Sequence, residues 1–263
     1  MCIYVANQPT VEEIAVNSVG FVKQPCIVEV TIFCNLSSCY QSMEPWTDIK
    51  AKLFADPVLS VKEDTVNYKG HPIHYRQGVS STVDQVRGTL LFLHGQSFKS
   101  QTWHDLGTLH FMANAGYNAV AIDLPGYGKT ESFSYGGQAP FLLGVKEALG
   151  LKDTPVIIIS PSMSGGFSIP LLFSNPEAFK GYLPVAPVNT ASHTHKEYSA
   201  VKIPTCIVYG ENDKGLGVAS FRDLSNIPNK QVHVLSGAGH AAYMNSPGEF
   251  HQILLNFSEK LFS

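Results

Sequence analysis

From residue 89 onward the chain is paced by short runs rich in apolar residues, most of them without polar alternation. Six of them, at 89–93, 118–122, 156–159, 182–185, 206–209 and 231–235, are rich in β-branched and aliphatic side chains. A strand covered on both faces needs no polar side, so such runs predict a parallel sheet. Stretches with helical spacing lie between or after them, at 106–115, 141–149, 166–173 and 247–262. Strand–helix alternation predicts an α/β fold, a mostly parallel, doubly wound sheet with helices on both faces. Ahead of it, 58–62 and 71–76 read as two antiparallel strands joined through Lys69-Gly70. Residues 1–56 hold no sustained period and read as a variable, weakly structured extension, which leaves 57–263 as the folded domain.

Composition narrows the function more than the fold. With 44% hydrophobic and 15% charged residues the chain is globular, and a formal charge of -3 provides no basic footprint for nucleic acid. The five cysteines, Cys2, Cys26, Cys34, Cys39 and Cys206, are odd in number and irregular in spacing, without a C-x-x-C pair. That argues against a disulfide framework and against zinc, and for a reducing compartment. Two N-x-S/T triplets, at Asn35 and Asn256, are of a kind common by chance. The charge-free run at 30–43 contains Asn35, Gln41 and several serines, well short of the roughly 20 apolar residues of a span. The first residues lack the basic and apolar regions of a signal peptide. The expectation is a cytoplasmic protein, with a nuclear pool compatible, and no membrane span.

In a doubly wound sheet, ligands gather beyond the carboxyl ends of the strands. The run at 156–159 ends in Ser160-Pro-Ser-Met-Ser-Gly-Gly166, a strand, a tight turn of small residues and a helix start. This is the layout of a nucleophile elbow, whose central residue is strained and whose neighbours two before and two after must be small. Two frames compete, centred on Ser162 or on Ser164. Ser160 directly follows the isoleucines and so takes the first small position, which puts Ser162 at the apex.

A serine nucleophile needs a base, and the fold orders its triad as Ser, acid, His along the chain. His240, in Ser236-Gly-Ala-Gly-His240 after the last strand, is the candidate base. After the preceding strand come Glu211 and Asp213; Asp213 lies deeper in the loop and is the favoured acid, to hold the imidazole tautomer. Asp123 also follows a strand, but it precedes the elbow and turn chemistry accounts for it. The oxyanion needs donors. The backbone N–H of Met163, next to the serine, and that of Gln96, in His94-Gly95-Gln96-Ser97, are expected to supply them, with His94-Gly95 structural. Ser97, His193 and His195 are expected on the substrate rim. His193 and His195 without a third ligand do not make a metal site, and the chemistry requires no cofactor.

With these residues in view, the chain resembles the abhydrolase domain-containing 14 family from about residue 58 to 263. The resemblance is carried by Phe92-Leu-His-Gly-Gln-Ser-Phe98, by 103–115 and 119–126, by Ile159-Ser-Pro-Ser-Met-Ser-Gly165, by 183–187 and by 201–204. The S-x-S-x-S-G elbow is that family's own variant and also puts the nucleophile at Ser162. The resemblance implies an α/β-hydrolase fold and small esterases active on short acyl groups, with deacylation or acyl transfer for some members and a membrane anchor in one branch.

Only about 20 residues separate the runs at 182–185 and 206–209, too few for a lid. An open mouth suits a short acyl group carried on an alcohol or amine, an acylated protein side chain included. The expected function is a serine hydrolase of short acyl esters or amides. One alternative is an acyltransferase or deacetylase that passes the acyl group to a thiol such as coenzyme A; another is a non-catalytic scaffold for protein interaction. Epoxide hydrolase and dehalogenase chemistry would require a carboxylate where Ser162 stands.

Overall fold

In the computed structural model, which describes residues 44–263, one sheet of eight strands runs through the middle of the described residues. β1 (Leu59–Tyr68) and β2 (His71–Ser80) form an antiparallel hairpin, in register from Leu59↔Ser80 to Tyr68↔His71. β3 (Thr89–Phe92), β4 (Asn118–Ile122), β5 (Val156–Pro161), β6 (Phe179–Val185), β7 (Thr205–Gly210) and β8 (Lys230–Leu235) are mutually parallel. The spatial order is β1-β2-β4-β3-β5-β6-β7-β8. The chain leaves β3 toward one edge and returns at β5 toward the other, so the strand order reverses between β3 and β5. A crevice opens at such a switch point, and it is here that the His94-Gly95 loop and the serine elbow emerge.

Each central strand divides its side chains between two cores. Leu90, Phe92, Ile157 and Ile159 face one, and Leu91, Leu93, Val156 and Ile158 the other. Helices α1 (Trp46–Ala55), α2 (Ser100–Asp105), α3 (Thr108–Asn114), α8 (Ala242–Asn245) and α9 (Pro247–Phe262) supply the first core; α4 (Gln138–Ala148), α5 (Gly165–Ser174) and α7 (Leu216–Leu224) supply the second. Double coverage is why these strands read as unbroken apolar runs. Each fully buried aliphatic side chain contributes about 1.5–3 kcal/mol. β8 is the exception: as an edge strand it leaves Val232 and Val234 exposed.

Residues 46–55, grouped by sequence with the weakly structured extension, form helix α1. It is too short to show a sustained period, and what secures it is tertiary. The Trp46 indole stacks on His251 at 3.9 Å and donates to the Leu106 carbonyl at 3.1 Å, and Leu53 is buried. Residues 1–43 of that extension, with Cys2, Cys26, Cys34, Cys39 and the Asn35 triplet, lie outside the described residues. Between β6 and β7, residues 186–204 make a 3₁₀ turn and the short helix α6 (His195–Ala200), with no lid domain. Among the described residues no helix is long and apolar enough to cross a membrane.

His251 ties α9 to α3. Its Nδ1–H donates to the Pro247 carbonyl, and the Thr108 hydroxyl donates to Nε2 at 2.8 Å. Full burial pushes its pKa down to about 3. The unfolded chain takes up this proton near pH 6.5 and the folded chain only near 3, so the unfolded state binds more protons between those values. The stabilisation that the neutral ring provides is therefore complete above pH 6.5 and is lost as pH falls, by at most about 1.4 kcal/mol per pH unit for one site. The melting temperature should drop from pH 6.5 to 4, and His251→Gln should flatten that drop. A slope unchanged by the substitution would remove His251 as a contributor. Burial also lowers the pKa of His74, His94 and His110, which act in the same direction, so the slope should shrink and not vanish.

Candidate active site

β5 runs two residues past the isoleucines, through Ser160 and Pro161, and Ser162 is the first residue beyond it. Its φ is 49°, in the left-handed region, whereas Ser164 sits at φ -68°, ordinary helical backbone. A residue with a Cβ in that region costs roughly 1–2 kcal/mol, and the strain marks Ser162 as the apex of the elbow. The surroundings hold it there. The Val188 N–H donates to the Ser162 carbonyl at 2.9 Å. A Cβ on Gly165 would lie 2.4 Å from the Val188 carbonyl oxygen and 2.6 Å from Pro187 Cβ, so only glycine lets α5 come this close to the 186–189 turn. Ala186, which opens that turn, is itself left-handed at φ 43° and fully buried.

The serines that stand where glycines are usual form a buried hydroxyl chain. Ser164 Oγ donates to the Pro161 carbonyl at 2.8 Å, and its proton is thereby used. Ser160 must then donate to Ser164 (3.1 Å), Ser168 to Ser160 (2.7 Å) and Tyr182 to Ser168 (2.9 Å). The extra oxygens of the S-x-S-x-S pattern are all satisfied, and the chain links the elbow to α5 and β6.

His240 arrives from the loop after β8. A Cβ on Gly210, at the end of β7, would meet the Gly239 carbonyl oxygen at 2.1 Å, so a glycine here allows the loop to fold over the sheet edge. Asp213, only 8% exposed in its side chain, accepts from His240 Nδ1 at 2.6 Å. The carboxylate offers no proton, so Nδ1 carries the hydrogen and Nε2 presents its lone pair. Nε2 lies 2.8 Å from Ser162 Oγ, so it accepts from the serine hydroxyl. Glu211, the rival acid, is committed elsewhere: it accepts from Gly237 N–H at 2.8 Å and Ser236 Oγ at 3.1 Å, bonds that hold its carboxyl below the usual range. Asp123 is fully buried and accepts from the backbone N–H of Ser100 (2.7 Å) and of Lys129 (2.9 Å), pinning two loops.

The loop after β3 is braced by His94. Leu124 N–H donates to its Nε2 at 3.0 Å, and its Nδ1–H donates to the Gly95 carbonyl at 2.9 Å. Beyond it, Gln96, Ser97 and Phe98 line a cavity of about 200 Å³ that also touches Pro161, Ser162 and His240. Gly95, Val185, Ala241 and Tyr243 complete its wall. Met163 is the second residue of the 3₁₀ turn Ser162–Ser164, whose first backbone N–H groups have no acceptor within the turn. Ser97 is one of the residues that line this cavity. His193 and His195 are not among the lining residues: His193 stacks on Phe173 at 3.7 Å, and His195 Nε2 faces Asp223 Oδ1 at 3.4 Å. Their position on the rim is corrected accordingly, because the aromatic and carboxylate partners draw both rings away. Phe98, Val185 and Tyr243 were missed by sequence reading. Their one signal is proximity along the chain, to Gln96, to the end of a strand and to His240.

No protein-family model matches the chain. ABHD14A of zebrafish (Danio rerio) is 43% identical over 255 residues, which span 89% of this chain and 94% of that protein. ABHD14B of rat (Rattus norvegicus), a proposed protein-lysine deacylase, is 41% identical over 209 residues, 77% of this chain and 98% of that protein. Among solved structures, a predicted CIB-like hydrolase from Thermoplasma acidophilum superposes with a TM-score of 0.67 at 25% identity, covering 76% of this chain and 98% of that one. Carboxylesterase CesB from Bacillus subtilis superposes with a TM-score of 0.64 over 81% of this chain and 95% of that one; at 16% identity it shows the fold alone.

Proposed function

The chain belongs to the abhydrolase domain-containing 14 family of α/β-hydrolases and is a hydrolase, and from that premise we propose that it removes short acyl groups through an acyl-enzyme on Ser162. The observation that carries this reading is the unbroken line of hydrogen bonds from Ser162 Oγ through His240 to Asp213, at 2.8 and 2.6 Å, opening on a small cavity. His240 Nε2 takes the serine proton as Oγ attacks the acyl carbonyl, and Asp213 stabilises the imidazolium that results. The backbone N–H groups of Gln96 and Met163 receive the oxyanion; one such donor is worth about 2.7–4 kcal/mol in the transition state. His240 then protonates the leaving amine or alcohol. Water, activated by the same base, releases the acid and restores Ser162.

The acyl carrier is taken to be a lysine side chain on a protein, in keeping with the name of the rat relative. The absence of a lid domain supports this choice, since the leaving side can remain outside while only the acyl chain enters. In a chain-length series at fixed leaving group, kcat/KM should be highest from acetyl to butyryl and fall at octanoyl. Each methylene that finds apolar wall contributes about 0.8 kcal/mol, and one left in water contributes nothing. A steady rise out to dodecanoyl, measured below the micelle concentration, would replace the short-acyl reading with a lipase-like one.

A further inference from the structure

The wall of the cavity beside Ser162 contains a polar group that this chemistry leaves unused. Tyr243, on α8 just beyond His240, is 2% exposed and lines the cavity. Its ring stacks on Trp103 with centroids 4.8 Å apart, and it meets Phe98 edge-on at 6.0 Å. Trp103 is in turn fixed by its indole N–H, which donates to the Leu93 carbonyl at 2.7 Å. The ring is therefore held on two sides. No hydrogen bond joins its hydroxyl to another described residue, the hydroxyl is not one of the sealed polar atoms, and burial raises its pKa, so the phenol keeps its proton at any ordinary pH. Tyr68, Tyr182 and Tyr198 each bond to a carbonyl or a hydroxyl, while the Tyr117 hydroxyl, away from this cavity, is buried without a partner. A phenol on a cavity wall offers its proton to whatever enters the cavity.

Three features say what could satisfy it. The scissile carbonyl is served by the backbone donors at Gln96 and Met163, and the leaving amine departs toward water. The part of a substrate that is left to meet Tyr243 on the cavity wall is the acyl chain. Phe98, Val185 and Ala241 bound that space, and no lysine or arginine lines it, so an acyl carboxylate would find no countercharge. We propose that the Tyr243 hydroxyl donates a hydrogen bond to a hydroxyl on the acyl chain, so that the site selects short 2- or 3-hydroxyacyl groups over plain acyl groups of the same length. The inference rests on the reading of Ser162 as the acyl-accepting nucleophile. A pocket built around a buried hydrogen-bonding group discriminates against the analogue that leaves it unpaired.

The test is a set of lysine peptides in matched pairs: 2-hydroxypropionyl against propionyl, and 3-hydroxybutyryl against butyryl. Wild-type kcat/KM should favour the hydroxyacyl member of at least one pair on the order of tenfold. Tyr243→Phe should bring that ratio to about one. A wild-type ratio at or below one in both pairs overturns the inference, as does a preference that survives in Tyr243→Phe. Folding of the variant is checked by the rate at which a fluorophosphonate labels Ser162; if the variant does not fold, the wild-type ratio alone decides. Failure of the underlying reading looks different: no peptide is turned over, and Ser162 is not labelled.

Discussion

Replacing Ser162 by alanine should lower kcat for a short acyl ester by about 10⁴–10⁶, because nucleophile and base act as one unit and neither works alone. Labelling by a fluorophosphonate should disappear with it. The paired variant, Ser164→Ala, should keep activity within about tenfold. Its hydroxyl donates to the Pro161 carbonyl and accepts from Ser160, so its removal takes a structural bond worth about 1 kcal/mol and touches no reacting atom. Near-normal turnover in Ser162→Ala, with loss in Ser164→Ala, would shift the elbow by two residues.

Asp213→Asn should lower kcat by about 10⁴ while changing KM little. The carboxylate forces the hydrogen onto His240 Nδ1; an amide can instead donate to that nitrogen, which moves the hydrogen to Nε2 and leaves no lone pair for the serine proton. Glu211→Gln is the discriminating control. Glu211 fastens the 236–237 turn and does not face His240, so its loss should reduce thermal stability modestly and leave most of the rate. Comparable kcat losses in the two variants would mean that the loop geometry, and not the Asp213 charge, serves the base.

The fold was legible because its signal is local. Unbroken apolar runs at 89–93 and 156–159 suit strands covered on both faces, and the two separate cores show that coverage. The order Ser, Asp, His, each just past a strand, was likewise written in the chain. Helix α1 was not, since Trp46 and Leu53 have value only where His251 and the first core receive them. Residues 1–43 are outside the described residues and add nothing to this comparison.

For the site, the sequence by itself determined the candidates and their chemistry: a serine in a small-residue turn, a histidine flanked by glycine, two carboxylates after one strand. Only tertiary geometry distinguishes among them. The left-handed φ of Ser162 and the helical φ of Ser164 separate two serines that the pattern treats alike, since backbone strain depends on what packs against the turn. Asp213 is separated from Glu211 by which carboxylate the His240 loop reaches, an outcome of the close approach at Gly210. His193 and His195 appeared to be rim residues while only their loop was known; Phe173 and Asp223, distant in sequence, turn them elsewhere. Tyr243 entered the site only in three dimensions, because a side chain's neighbours across the cavity come from β3, β5 and β6, and no spacing along the chain records which strands end side by side.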